Sequence, residues 1–255
     1  MATSGPAEVV WHDAECGSYD ADLGLWLQLA ERAAGPVLDL GCGTGRVALH
    51  LARRGFDVVG VDAEGALIEE LGARATGLPV RGVVGDAREL ELGTEFSVVL
   101  APMQLVQLLA GGAERIACLR GIAAHLLPGG LAALAIVEEV EEEAEAALPS
   151  HGWDSRPGEP PLPDTREVDG VVYSSLPLPT ILDGETLLVR RLRQVVSPDG
   201  LLSEEESTIP LCLLSADQLE REATSAGLEP LPRLAIPPTA DHVGSTVVVL
   251  RKGDS

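Results

Sequence analysis

The stretch Pro36–Arg53, PVLDLGCGTGRVALHLAR, decides how the rest of the chain is interpreted. It begins with a short apolar run, Val37–Leu40, which is typical of a buried strand. Three alternate glycines follow, Gly41, Gly43 and Gly45, and behind them apolar residues recur at helical spacing. The pattern predicts a strand, a glycine turn and a helix.

Such a turn can hold a polar or charged part of a ligand against the backbone. Glycine adopts backbone angles that other residues avoid, and it lets a ligand approach closely. The start of the helix adds free N–H groups and a positive dipole end. A dinucleotide fingerprint would need its third glycine one residue later, where this chain has Arg46. Asp39 would also repel a pyrophosphate, whereas it could accept hydrogen bonds from an ammonium group.

The sequence VLDLGCGTGR resembles motif I of the class I S-adenosylmethionine (SAM) methyltransferases, whose ligand carries an amino-acid tail. The resemblance covers residues 19–137 well and the last two predicted strands loosely. It implies a methyltransferase with SAM as cofactor and S-adenosylhomocysteine as product. It also implies that the motif residues contact the cofactor: Asp39, Gly41, Cys42, Gly43, Thr44, Gly45 and Arg46.

Composition limits the remaining choices. The 255 residues are enough for a single domain, which we expect over residues 1–255. The net charge of −22 argues against nucleic-acid or anionic-membrane partners, because both need a basic surface. The four cysteines have no paired spacing, so we expect neither a metal site nor disulfides. With no signal peptide or apolar span in the sequence, a cytoplasmic location is expected.

The N-terminal region, residues 1–34, is expected to cap the cofactor pocket. Residues 1–18 show no regular pattern, whereas Tyr19–Ala34 is amphipathic and predicts a helix. In the resembled family this region covers SAM, so Trp11, His12 and Tyr19 are candidate lid residues and Tyr19 a candidate cofactor contact. Packing alone is an equal alternative for Tyr19.

Two carboxylates follow the next two predicted strands. Asp62 ends the strand Asp57–Val61, roughly 20 residues past the glycine turn, where a carboxylate can bind both ribose hydroxyls and Ala63 lies beside it. The alternative is that Asp62 caps the following helix. After the strand Val80–Val84, the resemblance places Asp86 at the adenine amine and the Ala87 backbone near the ring; an ordinary surface turn is the alternative.

The fourth strand, Phe96–Leu100, ends in Ala101-Pro102-Met103-Gln104. In the resembled family this segment meets the reactive methyl group. Enzymes that methylate nucleobases or glutamine carry an Asn/Asp-Pro-Pro-aromatic signature there, which this chain lacks. We therefore expect Ala101, Met103 and Gln104 to form pocket wall and the acceptor to be another kind of molecule.

Beyond the fifth strand, Leu131–Val137, the character of the sequence changes. Residues 138–212 combine an acidic run, a proline-rich loop and β segments, and we interpret them as an inserted antiparallel cover that selects the substrate. A helix begins at Ser215, and two more strands follow at Leu231–Ile236 and Ser245–Arg251, the last antiparallel. The expected fold is α/β, with a doubly wound, seven-stranded, mostly parallel sheet.

A general base is needed only if the methyl acceptor must lose a proton. His242 and His151 are catalytic candidates, with Glu138, because they lie in loops at the carboxyl edge of the sheet. Exposed loop residues without a role are the alternative for each. The acceptor is expected to be a small molecule with an O or N nucleophile. A non-catalytic SAM-binding protein and a nicotinamide oxidoreductase remain alternative functions.

Overall fold

The computed structural model describes residues 6–138, 162–239 and 242–254. Helices and strands alternate along the first half, and a run of strands follows. A single 3₁₀ turn, Leu105–Gln107, follows the fourth strand. The elements are α1 (Pro6–Cys16), α2 (Leu23–Ala33), β1 (Val37–Leu40), α3 (Arg46–Ala52), β2 (Val58–Asp62), α4 (Gly65–Arg74), β3 (Val80–Val84), β4 (Phe96–Ala101), α5 (Gly112–His125), β5 (Leu126–Ile136), β6 (Asp164–Val168), β7 (Val171–Asp183), β8 (Thr186–Val196), β9 (Leu202–Cys212), α6 (Ala216–Ser225), β10 (Leu228–Ile236) and β11 (Ser245–Lys252).

The main sheet has seven strands in the order β10-β11-β5-β4-β1-β2-β3. Neighbouring strands from β5 to β3 run parallel, whereas β11 runs antiparallel to both β5 and β10. The order reverses direction at β1, between β4 and β2, which is where ligands bind in open α/β sheets. The predicted fold class and the antiparallel last strand are confirmed.

Buried aliphatic side chains cover both faces of the sheet. Along β4, Val99 and Ala101 belong to one hydrophobic cluster, whereas Val98 and Leu100 belong to the other. This alternation is the period of two that a strand imposes, and helices on both faces explain why the strands are apolar throughout. The fully buried Trp26 of α2 joins the second cluster and donates its indole N–H to Asp22 at 2.7 Å.

The insertion after β5 forms a second sheet in its described part. Strands β6 to β9 pair in sequence order and antiparallel, with a turn at residues 197–200 between β8 and β9. β7, with 13 residues, is the longest strand of this sheet. Its prolines lie beside an irregularity in the pairing with β8 between Leu178 and Ile181, the kind of place where a strand tolerates proline.

Two further predictions need correction. Residues 6–16 form helix α1, although the first 18 residues were expected to be irregular. Its buried residues Val10, Trp11 and Ala14 face the inserted sheet and α4, so tertiary packing stabilises a helix that local sequence does not indicate. β5 also begins before the expected Leu131, because Leu126 pairs with Phe96 ahead of the bend at Gly129. Among the described helices none has the length and apolar character to cross a membrane.

Candidate functional site

The glycine turn after β1 has the geometry that its sequence predicts. Gly41, Gly43 and Gly45 have φ angles of 71°, 55° and 95°, a region that residues with side chains rarely adopt. A Cβ at Gly43 would lie 2.1 Å from Nε2 of His12, and one at Gly41 would lie 2.9 Å from the Leu105 side chain. The turn is therefore a cradle that only glycine can form.

Asp39 lies beneath this cradle with 1% of its surface exposed. Its Oδ2 accepts a hydrogen bond from the backbone N–H of Ala48 at 2.9 Å, and its Oδ1 has no hydrogen-bond partner among the described residues. Burial raises the pKa of Asp39 to about 7, although the Arg46 charge and the Ala48 N–H act in the opposite direction. This carboxylate is enclosed by the protein and does not line the main cavity, so its role is to support the turn through Ala48.

Asp62 joins the end of β2 to the glycine turn. Its Oδ2 accepts a hydrogen bond from the Gly43 N–H at 2.9 Å, and its Oδ1 accepts one from the Glu64 N–H at 2.9 Å. The N-cap residue of α4 is Glu64, so Asp62 is not the helix cap that the alternative proposed. Its carboxylate is half-buried and lines the main cavity, where its remaining lone pairs can accept from a diol.

Asp86 follows β3 and lines the same cavity. It accepts hydrogen bonds from both the backbone and the guanidinium of Arg88, and these lower the pKa of Asp86 to about 2. Arg88 also lies 3.2 Å from Glu114. Both groups keep their charges at neutral pH, and the carboxylate can still accept a hydrogen bond from an amine.

The turn after β4 carries two consecutive non-glycine residues with positive φ, Met103 at 51° and Gln104 at 60°. A non-glycine residue in this conformation costs about 1–3 kcal/mol of stability. It persists only where the surrounding structure maintains it. Both line the cavity. Strain of this kind concentrates at ligand sites, which favours the expected role of this turn as pocket wall.

The inserted sheet and α1 together cover the cavity. Glu15 of α1 is paired with the Arg193 guanidinium through two 2.8 Å hydrogen bonds and accepts a third from Ser175. Trp11 packs edge-on against Tyr173, with 5.1 Å between ring centroids. The predicted antiparallel sheet thus forms, and α1 packs against it.

This cavity has a volume of about 560 Å³ and extends from the carboxyl ends of β1, β2 and β4 to the inserted sheet. This size is within the range of small-molecule sites, about 300–1,000 Å³. Eight residues predicted to bind the cofactor line it: Tyr19, Gly41, Asp62, Ala63, Asp86, Ala87, Met103 and Gln104.

Seven predicted cofactor residues are absent from the cavity wall: Asp39, Cys42, Gly43, Thr44, Gly45, Arg46 and Ala101. For two of these residues, Arg46 and Thr44, the structure shows another set of contacts. The Arg46 guanidinium donates to Asp22 and to the carbonyl oxygen of Tyr19, so it anchors the N-terminal region. Thr44 donates to the buried carboxylate of Asp13 at 2.7 Å, which ties the glycine turn to α1.

Of the two catalytic candidates, His242 lines the cavity and its ring lies 4.5 Å from the Tyr19 ring, centroid to centroid. His151 lies outside the described residues. Glu138 is occupied by structural hydrogen bonds from the Ala216 N–H and the Thr246 hydroxyl. No group of three or more His, Cys, Asp and Glu side chains in the described part of the chain is placed to hold a metal ion.

Sequence reasoning missed the wall that the inserted sheet contributes, namely Val189, Arg191, Ile209 and Leu211. Val189 and Ile209 are direct partners across β8 and β9, so their side chains share one face of that sheet. Alternating residues of a strand are visible in a sequence. Which face turns toward the cavity is set by the packing of the whole sheet.

This chain matches both a protein-family model and individual known proteins. Residues 37–130 match the family model described as "Methyltransferase domain". The cypemycin N-terminal methyltransferase of a Streptomyces species is 42% identical over 105 residues, 41% of this chain and 43% of that protein. The dTDP-3-amino-3,6-dideoxy-alpha-D-glucopyranose N,N-dimethyltransferase of Streptomyces fradiae is 28% identical over 82% of this chain and 75% of that protein.

The solved structure of the sugar N-methyltransferase KedS8, from a Streptoalloteichus species, superposes with a TM-score of 0.72. The match covers 99% of this chain and 95% of that protein at 20% identity, so it establishes the fold. The chain spans less than half the length of the cypemycin enzyme and three quarters of the sugar enzyme from Streptomyces fradiae.

The glycine cradle lies where the strand order of the main sheet reverses, within the residues that match the family model, and the predicted resemblance to the class I SAM-dependent methyltransferases is confirmed. The chain is a methyltransferase whose cofactor is SAM, and the predicted class, methyl transfer and cofactor are confirmed. The half-buried carboxylate of Asp62, which lines the cavity, fits this cofactor because the cofactor carries a ribose diol.

Proposed function

We propose that this chain methylates the amino group of a small acceptor, an amino sugar in the first instance, bound beneath the inserted sheet. One observation carries the proposal: a single cavity connects Asp62 and Asp86, at the cofactor end, with Val189, Ile209 and Leu211 of the inserted sheet. The acceptor can therefore lie beside the cofactor and away from bulk water.

The chemistry of the wall favours an amine over an acidic acceptor. Carboxylates outnumber guanidinium groups on the cavity wall: Glu15, Asp22, Asp62, Asp86 and Glu114 line it, against Arg88 and Arg191. A cationic amine is attracted to such a wall, whereas a second free anion would be repelled. The matched proteins named as N-methyltransferases support the same acceptor atom.

The cofactor supplies an activated methyl group on a sulfonium, and the protein's task is to hold the acceptor in line with it. In our assignment Asp62 accepts hydrogen bonds from the ribose hydroxyls and Asp86 accepts one from the adenine amine. Met103 and Gln104 form the wall at the methyl end. Tyr19 closes the mouth of the cavity from α2's N-terminal side.

The nitrogen of the acceptor must be unprotonated to attack, so a group that accepts its proton would assist the reaction. We assign this role to His242, which lines the cavity beside Tyr19. His151 stays a sequence-based candidate. Neither residue is required for the methyl transfer itself, because the sulfonium is already activated.

The test is an acceptor panel with SAM, measured as S-adenosylhomocysteine formed and as a mass gain of one methylene on the acceptor. The panel contains a nucleotide-linked 3-amino sugar, the same sugar with a hydroxyl at that carbon, a peptide with a free N-terminus and a catechol. We expect methylation of the amino sugar and none of its hydroxyl analogue. Methylation of the catechol or the hydroxyl sugar would overturn the amine assignment. Cofactor binding without turnover of any acceptor would favour the non-catalytic alternative.

A further inference from the structure

His12 of α1 lies directly on the glycine cradle. A Cβ placed on Gly43 would be 2.1 Å from Nε2 and 2.3 Å from Cε1 of His12, so the imidazole occupies the space that the missing side chain leaves. His12 also lines the cavity, with 24% of its side chain exposed. The ring therefore faces whatever ligand the cradle holds.

The two nitrogens of the His12 ring face different neighbours: Nδ1 faces Asp13, and Nε2 faces Gly43. Nδ1 of His12 is buried and has no hydrogen-bond partner among the described residues; the nearest carboxylate oxygen, Oδ1 of Asp13, is 4.0 Å away. Asp13 is itself saturated by Thr44, by Arg74 and by Arg166 at 3.1 Å. Nε2 is the ring nitrogen that lies against Gly43, so it is the one placed to donate to a ligand held by the cradle.

The same contacts fix the position of the ring. Asp13 follows His12 in the chain, and the Thr44 hydroxyl that donates to it follows Gly43. Two adjacent residues of α1 thus contact two adjacent residues of the glycine turn. The imidazole is held in place before a ligand arrives, which reduces the entropy lost on binding.

The cavity offers few other donors for an anion. Arg88 is paired with Asp86 and Glu114, and Arg191 is paired with Asp164 and contacts Ser175. SAM nevertheless carries one carboxylate, on the methionyl tail that begins at the ribose. Since Asp62, our ribose ligand, is hydrogen-bonded to Gly43 itself, the tail is expected close to this glycine.

We propose that His12 donates a hydrogen bond to the carboxylate of the methionyl tail of SAM and S-adenosylhomocysteine. This role concerns cofactor binding and is independent of the acceptor proposed above. Helix α1 would then contact the cofactor directly through His12, while the next residue of the helix, Asp13, contacts Thr44 of the glycine turn.

The test compares two ligands by calorimetry: S-adenosylhomocysteine, which has the tail, and 5′-methylthioadenosine, which lacks it. We expect His12→Ala to weaken binding of S-adenosylhomocysteine about tenfold, equivalent to 1.4 kcal/mol, and to change that of methylthioadenosine less than about twofold. His12→Gln, which keeps a donor, should recover part of the loss. Thermal unfolding without ligand checks that each variant is folded.

A matched control is His50→Ala, which removes a histidine of α3 that does not line the cavity. It should leave both affinities within about twofold of the parent chain. Equal losses for the two ligands in His12→Ala, or no loss for S-adenosylhomocysteine, would overturn the proposal. Failure of the unaltered chain to bind S-adenosylhomocysteine would instead overturn the cofactor assignment itself.

Discussion

The side-chain amide of Gln107 donates a hydrogen bond to the carbonyl oxygen of Cys212, 3.1 Å away, where the inserted sheet ends. The same amide group donates to the Val137 carbonyl at 3.0 Å and accepts from the Val137 N–H at 2.8 Å, where the chain leaves the main sheet. One side chain, 3% exposed, thus holds both ends of the insertion beside the strained turn at Met103 and Gln104.

Replacing this residue should therefore loosen the cover. Gln107→Leu removes the hydrogen-bond partner of backbone groups in the partly buried residues Val137 and Cys212, and we expect the free energy of unfolding to fall by about 1–3 kcal/mol. Urea denaturation measures the loss. Gln28→Leu, at an exposed position of α2, is the control and should stay within about 0.5 kcal/mol. Equal stability of the two variants would contradict the bridging role.

Asp62 provides a test of the ribose assignment. Asp62→Ala removes a carboxylate that can accept from both ribose hydroxyls, and we expect the binding of S-adenosylhomocysteine to weaken by about 1–3 kcal/mol. Calorimetry measures the dissociation constant. Asp57→Ala, an exposed carboxylate just before the other end of β2, should leave it unchanged. An unaltered constant in Asp62→Ala would refute the assignment.

Asp39 should make the ligand-free protein less stable as the pH rises. Its pKa is raised from the model-peptide value of 3.8 to about 7, so between these values the folded chain holds a proton that the unfolded chain has released. Stability from this group is fully present below about pH 4 and is lost as the pH rises toward 7. Urea unfolding at pH 5 and pH 8 tests this, with Asp39→Asn as the reference.

The test compares the pH dependence of stability in the parent chain with that in Asp39→Asn. Asp39→Asn should show a smaller fall in stability between pH 5 and pH 8 than the parent chain. Asp13 does not interfere: burial alone would raise its pKa, but His12, Arg74 and Thr44 hold the pKa of Asp13 well below its usual range. The stabilisation that Asp13 contributes is lost only at more acidic pH, where its carboxylate becomes protonated. Identical pH dependences would disprove the buried, protonated state of Asp39.

The ion pair between Glu15 and Arg193 should hold α1 on the inserted sheet. Glu15 is 8% exposed and Arg193 15%, so Glu15→Ala leaves a poorly solvated guanidinium and should cost about 3 kcal/mol of unfolding free energy. Hydrogen exchange of the α1 backbone should accelerate in parallel. Glu229→Ala breaks the exposed pair with Arg251 and should leave the free energy of unfolding nearly unchanged. Unchanged exchange in α1 would show that the helix is held by apolar contacts alone.

Val189 tests the proposed acceptor region. Val189→Asp places a charge on the cavity face of β8, so we expect kcat/KM for the acceptor to fall at least about tenfold while the affinity for S-adenosylhomocysteine stays within about twofold. Arg190→Asp alters the next residue, whose side chain points to the opposite face of the strand. It should leave kcat/KM within about twofold. Equal effects from both variants would argue against an acceptor beneath this sheet.

Much of the site was predictable where one short segment determines it. The strand β1 was placed at its exact bounds, and the glycine turn has the φ angles that its composition predicts. Asp62 and Asp86 could be placed on the cavity because each directly follows a strand of a parallel sheet. Arg46 shows the limit: its motif position indicated a cofactor contact, but its guanidinium turns to Asp22, which is remote in sequence.

The sequence by itself determined the fold class, the cofactor and the edge of the sheet where most of the candidate cofactor residues lie. These follow from apolar periodicity, glycines and carboxylates, which act within a few residues of one another. Only the tertiary structure decided that residues 6–16 form a helix, that His12 lies on Gly43, and that Gln107 joins the two ends of the insertion. Each of these contacts joins segments that are distant in the chain, and their side chains meet only once the two sheets and α1 have packed together.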